Sequence, residues 1–441
     1  MGGGNGQKSR MARERNMEKA KGAKGSQLET NKKAMNIQAP KGVTLCLNKV
    51  ILDISTGCRG IQAMEASNKK AVNRDAITEE VAAAFAESNV IPERYYRPDE
   101  VNAGIVVGYD DDEAYELPVV DMGRLLDPEL AGAEIAKLGS ACRDWGFFQL
   151  VSHGIDEQVV NEMKDSTARF FSLPLESKKT VAVRENGIEG FGHHYSRVSG
   201  KLDWAESVIL VLFLILFQVQ VAVDLNSDAL DKFSVEMTSL TMRIVGFMAA
   251  DLGVEQEALV RAFRDSRQNM LLHHYPPCRL PDKVIGITPH TDGLSLTVLL
   301  QVDDTPGLQI KKDGRWFPVR PRQGTFIINV ANILEVLTNG AYRSVEHRVL
   351  IHARKSRTTV VMFHDAHIDG MVQPIQEVLK HNGAEARYRS IEKLEYMKGH
   401  FSCKVCMQTF MCTTSEVKCR EHAEAKHPKT DVYQCFPQLK K

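Results

Sequence analysis

The chain has 441 residues, 43% of them apolar and 25% charged, with 56 basic and 56 acidic side chains that cancel. This composition excludes a chain too small or too polar to build a core, and the length suggests two or three domains. The balanced total argues neither for nor against a polyanionic partner, because both ends are basic and the long middle is acidic.

In chain order, residues 1–38 are rich in Gly, Lys, Arg, Gln and Asn and nearly free of large apolar side chains. Such a segment cannot bury enough surface to offset its ordering entropy, so it is expected to be a disordered basic arm. No apolar core marks it as a secretory signal, which predicts a reducing, cytoplasmic location with the nucleus as the alternative. Residues 39–63 have no clear period, and AITEEVAAAFAES, within a linker spanning 39–90, has a helical pattern. Residues 117–123 have the pattern of a short strand, Asp127-Pro128 that of a cap to a helix running to Trp145, and residues 147–151 that of a buried strand. An amphipathic helix follows, ended by Pro174. Residues 208–217 are ten consecutive apolar residues, well short of the about 20 that a membrane span needs. This run is expected to be a core strand or sequence foreign to the domain, and no membrane partner is expected. Residues 228–252 have the spacing of a long helix, closing a helical region over 91–226 and opening the next domain at 227–400.

From Leu271 the texture becomes β-rich. KVIGI, LSLTVLLQV, GLQIKK, WFPVR, GTFIINV, EHRVLI and RTTVVMF are separated by Pro, Gly and Asp, with Asp313-Gly314 as a hairpin turn. Many short strands with turn signals predict a sandwich or jelly roll. The fold class expected is α+β: a double-stranded β-helix (jelly-roll) core with a helical N-terminal part.

The chemistry lies between these strands. His290 and Asp292 are two apart, which on an extended chain turns both to one face, and His347 sits in a separate strand pattern. Two imidazoles and one carboxylate on a β scaffold form the facial triad of non-haem iron(II) oxygenases. Ten residues after His347 comes Arg357, and Thr359 shares its strand face. An Arg fork beside a hydroxyl suits bidentate grip of a carboxylate. A bare H-x-D carries little weight, since His367-Ile368-Asp369 is a second one and reads as a loop feature.

Taken together, HHYPPC, HTDGLSLTVLLQ, NGAYRSVEHRV and R-T-T resemble the plant iron(II)/2-oxoglutarate-dependent dioxygenases. The upstream DWGFFQLVSHGI, FFSLPLESK and GHHYSRVSGKLDWAE resemble their helical part, so the likeness covers roughly residues 90–400. The resemblance implies iron(II) on His290, Asp292 and His347, and 2-oxoglutarate on Arg357 with Thr359 and Tyr275. It further implies dioxygen as co-substrate, ascorbate as reductant, and a small-molecule substrate that is hydroxylated or desaturated while the keto acid is converted to succinate and carbon dioxide. Relatives usually carry Ser at the place of Thr359, and Asn-Tyr-Tyr where this chain has His273-His274-Tyr275. They also carry a polar segment at the place of 208–226, the one long departure. A monomer is expected.

The tail, residues 403–441, holds five of the nine cysteines. Cys403-x2-Cys406 followed by His422-x4-His427 is ligand spacing for tetrahedral zinc, with Cys412 and Cys419 as alternative ligands. Residues 1–38 and 403–441 together resemble the two halves of one small plant zinc-finger-like protein. The split halves, the patternless linker and the apolar run predict a composite gene model, with a dioxygenase inserted in a zinc-finger gene. The alternative reading is a nucleic-acid- or protein-binding zinc-finger protein whose dioxygenase-like domain is inactive, with nucleic-acid contact expected only through the basic termini.

Overall fold

The computed structural model describes residue 85 and residues 88–107, 116–183, 189–192, 201–212, 227–264, 268–366 and 370–397, with parts of 401–436. All lie in one unit, residues 61–441. The expectations for the basic arm and for most of the 39–90 linker, including its helical pattern, fall outside the described residues.

Thirteen strands among the described residues build the central domain. In chain order they are β1 (Ile105–Val106), β2 (Val119–Asp121), β3 (Phe147–Val151), β4 (Gly190–Gly192), β5 (Glu206–Leu212), β6 (Gln268–Tyr275) and β7 (Ile287–His290). They continue as β8 (Leu296–Gln301), β9 (Leu308–Lys312), β10 (Arg315–Pro318), β11 (Phe326–Val330), β12 (His347–Val349) and β13 (Arg357–His364). Eight form one sheet in the order β2-β3-β11-β8-β13-β6-β5-β4, and five form a second in the order β1-β10-β9-β12-β7. Pairing is antiparallel except for β2 with β3 and β1 with β10. The sheets face each other: Phe147 and Ile327 of the larger pack with Leu308 and Ile310 of the smaller. This mixed helix-and-sheet architecture is consistent with the expected jelly roll.

The outer face of the large sheet is closed by the helix Ser227–Asp251. Phe233, Met237, Leu240, Ile244 and Met248 recur three or four apart, giving one apolar stripe. The stripe packs on Met270 and Leu272 of β6, Val298 and Leu300 of β8, and Val360 and Met362 of β13. Their neighbours in each strand therefore point inward, between the sheets. A second, smaller core gathers Tyr95, Trp204, Tyr275, Cys278, Val284 and Val349. There the Trp204 indole donates to the Pro276 carbonyl at 3.0 Å.

Two local expectations are adjusted. Asp127 does not cap the helix that ends at Asp144. Asp121 caps a short helix, Met122–Leu126, Asp127 ends it and holds a turn through Glu129 N–H, and the longer helix starts at Ala131. The KVIGI run is not a strand until Ile287, because Pro281–Lys283 form a 3-10 turn and Val284 folds into the smaller core. Val208–Leu212, the first half of the apolar run, form a core strand, with β5 inserted between β4 and β6. The rest of that run lies outside the described residues. Asp313 and Gly314, both at positive φ, make the expected hairpin between β9 and β10. Among the described residues no helix is long and apolar enough to cross a membrane.

Candidate metal centre and carboxylate pocket

Strand pairing brings the three predicted metal ligands together. His290 ends β7 and is directly opposed by His347 at the start of β12, with ring centroids 4.2 Å apart. Asp292 lies two residues past His290. Its Oδ1 is 3.5 Å from His290 Nε2 and 3.7 Å from His347 Nε2. One ligand atom from each residue falls within 4.8 Å of the other two.

Each ligand is aimed by a further contact. His290 Nδ1 donates to the Thr288 carbonyl at 2.8 Å, and His347 Nδ1 to the Val345 carbonyl at 3.1 Å. Both rings are thereby fixed in the tautomer that leaves Nε2 with a lone pair. Asp292 Oδ2 accepts from Thr297 Oγ1 and from Asn329 Nδ2, each at 2.7 Å, so Oδ1 remains for a cation. The backbone of β7 is itself braced. Thr288 Oγ1 accepts from Arg97 Nη2 at 2.6 Å and donates to Asp203 Oδ1 at 2.7 Å.

The electrostatics suit a metal. Burial opposes ionisation of Asp292, but His347, His290 and the Asn329 amide outweigh it and hold the carboxyl well below the usual carboxylate range. Burial, assisted by His290, pushes His347 down to about 4 against the pull of Asp292. Burial also works against protonation of His290, and the bond to Asp292 overrides it and raises the pKa. Two nitrogen lone pairs and one carboxylate oxygen on one face can hold iron(II) and leave further positions open.

A second cluster lies along β13. Arg357 is directly opposed by Tyr275 of β6, its guanidinium 5.3 Å from the ring centroid. Arg357 Nη2 reaches Gln301 Oε1 at a long 3.3 Å. Its Nε and Nη1, and Thr359 Oγ1, are buried without any hydrogen-bond partner. Unmade bonds of this kind are costly, and together they are what a small carboxylate would satisfy. Burial pushes the Tyr275 phenol up, so it remains a neutral hydroxyl. The predicted Tyr275, Arg357 and Thr359 thus lie together on β6 and β13, and the orphaned polar atoms of Arg357 and Thr359 fit a carboxylate.

The zinc set is only partly visible. Cys403 and Cys406 lie outside the described residues, as do Cys412, His367 and Asp369. His422 and His427 have ring centroids 5.2 Å apart, beside a small core of Cys419, Ala423, Val432, Cys435 and Phe436. Sequence reasoning missed Thr297, Gln301, Asn329 and the Arg97–Asp203–Thr288 network. Asn329 is brought to the site by the pairing of β11 with β8, and Arg97 and Asp203 reach Thr288 from outside the strands, so no local spacing marks them.

Comparison with known proteins agrees with this geometry. Residues 266–366 match the 2OG-Fe(II) oxygenase superfamily, and residues 117–213 match the family of the non-haem dioxygenase in morphine synthesis N-terminal region. Residues 402–439 match a zinc-binding family, and residues 3–36 the N-terminal region of small EDRK-rich factor 1/2-like proteins. Protein SRG1 of Arabidopsis thaliana is 38% identical over 327 residues, 71% of this chain and 88% of that protein. Oxoglutarate-dependent flavonoid 7-O-demethylase 1 of Ocimum basilicum is 37% identical over 293 residues, 65% of this chain and 78% of that protein. The crystal structure of JOX2 in complex with 2OG, Fe and JA superposes with a TM-score of 0.61 at 28% identity, covering 72% of this chain and 92% of that one.

Proposed function

The chain belongs to the 2OG-Fe(II) oxygenase superfamily and is a dioxygenase of its plant branch, and from that premise we propose that it hydroxylates or desaturates a small specialised-metabolite or hormone-like compound. In this reading His290, Asp292 and His347 hold iron(II), and Arg357, Thr359 and Tyr275 grip the distal carboxylate of 2-oxoglutarate. The observation that carries it is the pairing of three converging ligand atoms with a buried Arg357 whose Nε and Nη1 are unmet. The bound iron supplies oxygen activation and removal of substrate hydrogen. The protein's own part is to fix both imidazole tautomers and keep Asp292 ionised, and Arg357 would hold the distal carboxylate of the keto acid. Ascorbate would keep the iron reduced between cycles.

The test is succinate release from 2-oxoglutarate with iron(II), ascorbate and dioxygen, comparing the native chain with His290→Ala. Turnover in the native chain that the substitution abolishes supports the reading. Silence in both, with no iron bound to the native chain, overturns it.

For the ends, the proposal is a basic arm at 1–38 and a tail at 403–441 in which Cys403, Cys406, His422 and His427 bind zinc. Two family matches at opposite ends of the chain support a zinc-finger-like reading frame that the dioxygenase interrupts. A transcript read crossing both junctions would establish a true fusion, whereas deep sequencing without one would establish a composite gene.

A further inference from the structure

Opposed residues on neighbouring strands share a face, so the inner face of the large sheet is crossed by successive rows. The row passing the metal triad is Phe147, Asn329, Thr297, Phe363, Asn269 and Val211. Its near half is committed to the metal centre. Phe147 packs edge-on to His347 at 5.1 Å, and Asn329 and Thr297 bond to Asp292.

Its far half is not. Phe363, Asn269 and Val211 are only half-buried, although the opposite face of their strands is sealed under the long helix. Among the described residues the Asn269 side chain makes no hydrogen bond. The next row, Leu299, Val361, Leu271 and Ile209, is apolar. Beyond it stand Gln301, Thr359 and His273, at the Arg357 end. The Phe363–Asn269 patch therefore lies level with the metal triad and beside it across the strands, while Arg357 stands three rows away along β13.

Resting on the dioxygenase reading above, we propose that Asn269 determines specificity. The substrate it selects is an uncharged aromatic compound bearing a hydroxyl or carbonyl about one ring-length from the carbon that is oxidised. Strands stand about 4.8 Å apart, which puts Asn269 about 10 Å from Thr297, the partner of Asp292, with Phe363 between them. Phe363 gives the ring a partner, Val211 an apolar wall, and Asn269 one donor and one acceptor. Neither of these two rows carries a Lys or Arg, so a substrate carboxylate placed there would be buried without a counter-charge.

The probes are 7-hydroxyflavone against flavone, umbelliferone against coumarin, and phenylacetic acid, each added to the iron(II)–2-oxoglutarate enzyme. Two readouts are taken: stimulated succinate release, and perturbation of the visible iron-to-keto-acid absorption band without oxygen. The hydroxylated member of at least one pair should half-saturate at about tenfold lower concentration than its parent, the factor one buried hydrogen bond is worth. Asn269→Leu should erase that difference and Asn269→Gln restore part of it, while phenylacetic acid stays inert. Equal response to both members of every pair, discrimination that survives Asn269→Leu, or preference for the acid overturns the inference while leaving the dioxygenase reading intact. Absence of the absorption band and of any succinate overturns both.

Discussion

The side-chain amide of Asn329 donates to Oδ2 of Asp292 at 2.7 Å, the carboxylate oxygen that does not face the two imidazoles. Asn329 sits in β11, 37 residues from the ligand it orients, and is almost fully buried. Outer partners of metal ligands typically account for about 10- to 100-fold in metal affinity. Asn329→Ala should therefore weaken iron(II) binding by about that factor, read by titration of the metal-free protein. Unchanged affinity would show that Thr297 alone suffices to aim Asp292.

Arg357 is the counterpart at the keto-acid end. Removing one partner of a buried charge pair costs about 2–5 kcal/mol, roughly 30- to several-thousand-fold. Arg357→Leu should raise the concentration of 2-oxoglutarate needed for half-maximal turnover by such a factor while iron still binds. Arg357→Lys should recover only part, because an ammonium cannot match the two-pronged geometry. Equal affinity in Arg357→Leu would place the carboxylate elsewhere.

Acid stability should depend on two histidines outside the metal centre, the half-buried His274 and the buried His364. Burial, then Lys178, pushes His274 down to about 4, and burial alone pushes His364 down to about 3. In the unfolded chain both titrate near the ordinary value of about 6.5. Between about 6.5 and 4 the unfolded state thus takes up protons that the folded state refuses. Their contribution is fully present above about 6.5 and is lost as pH falls, at up to about 1.4 kcal/mol per unit for each group. Urea midpoints measured across this window should fall toward acid, and His274→Gln should flatten the slope. An unaltered slope would remove His274 from the account.

Lys178 and Glu206 form an ion pair at 2.7 Å with both side chains almost fully buried. Breaking such a pair from one side strands a charge at about 3–5 kcal/mol, whereas replacing both partners by apolar groups is often neutral. Lys178→Met should therefore lower stability sharply, and Lys178→Met with Glu206→Leu should recover most of the loss. The comparison of denaturation midpoints decides it, and a double variant no better than the single would refute the stranded-charge explanation.

Much of this was legible in the sequence. The strands of β3, β8, β11 and β13 fall where alternation and turn residues put them, His290, Asp292 and His347 stand within reach of one another, and Arg357 lies beside Tyr275 in a second cluster. What was not legible depends on which strand lies beside which. Asn329 and Asn269 stand outside the motifs and Thr297 and Gln301 inside one that assigns them no role, and their roles follow only from the register of β11 with β8, β8 with β13, and β13 with β6. The misplaced cap at Asp127 and the late start of β7 are local. An Asp-Pro pair makes a turn as readily as a cap, and the proline at 281 turns the chain before its β-branched run can extend.

Both histidines of the triad take their orientation from a carbonyl two residues upstream, Thr288 for His290 and Val345 for His347. A main-chain oxygen survives every substitution, so each imidazole carries its own aiming device within a tripeptide. Asp292 has no such insurance, since two replaceable side chains, Thr297 and the distant Asn329, aim it. Drift in surrounding sequence would then spare the nitrogens and expose the oxygen. In a lineage released from selection, the carboxylate corner of the metal centre should be the first to decay.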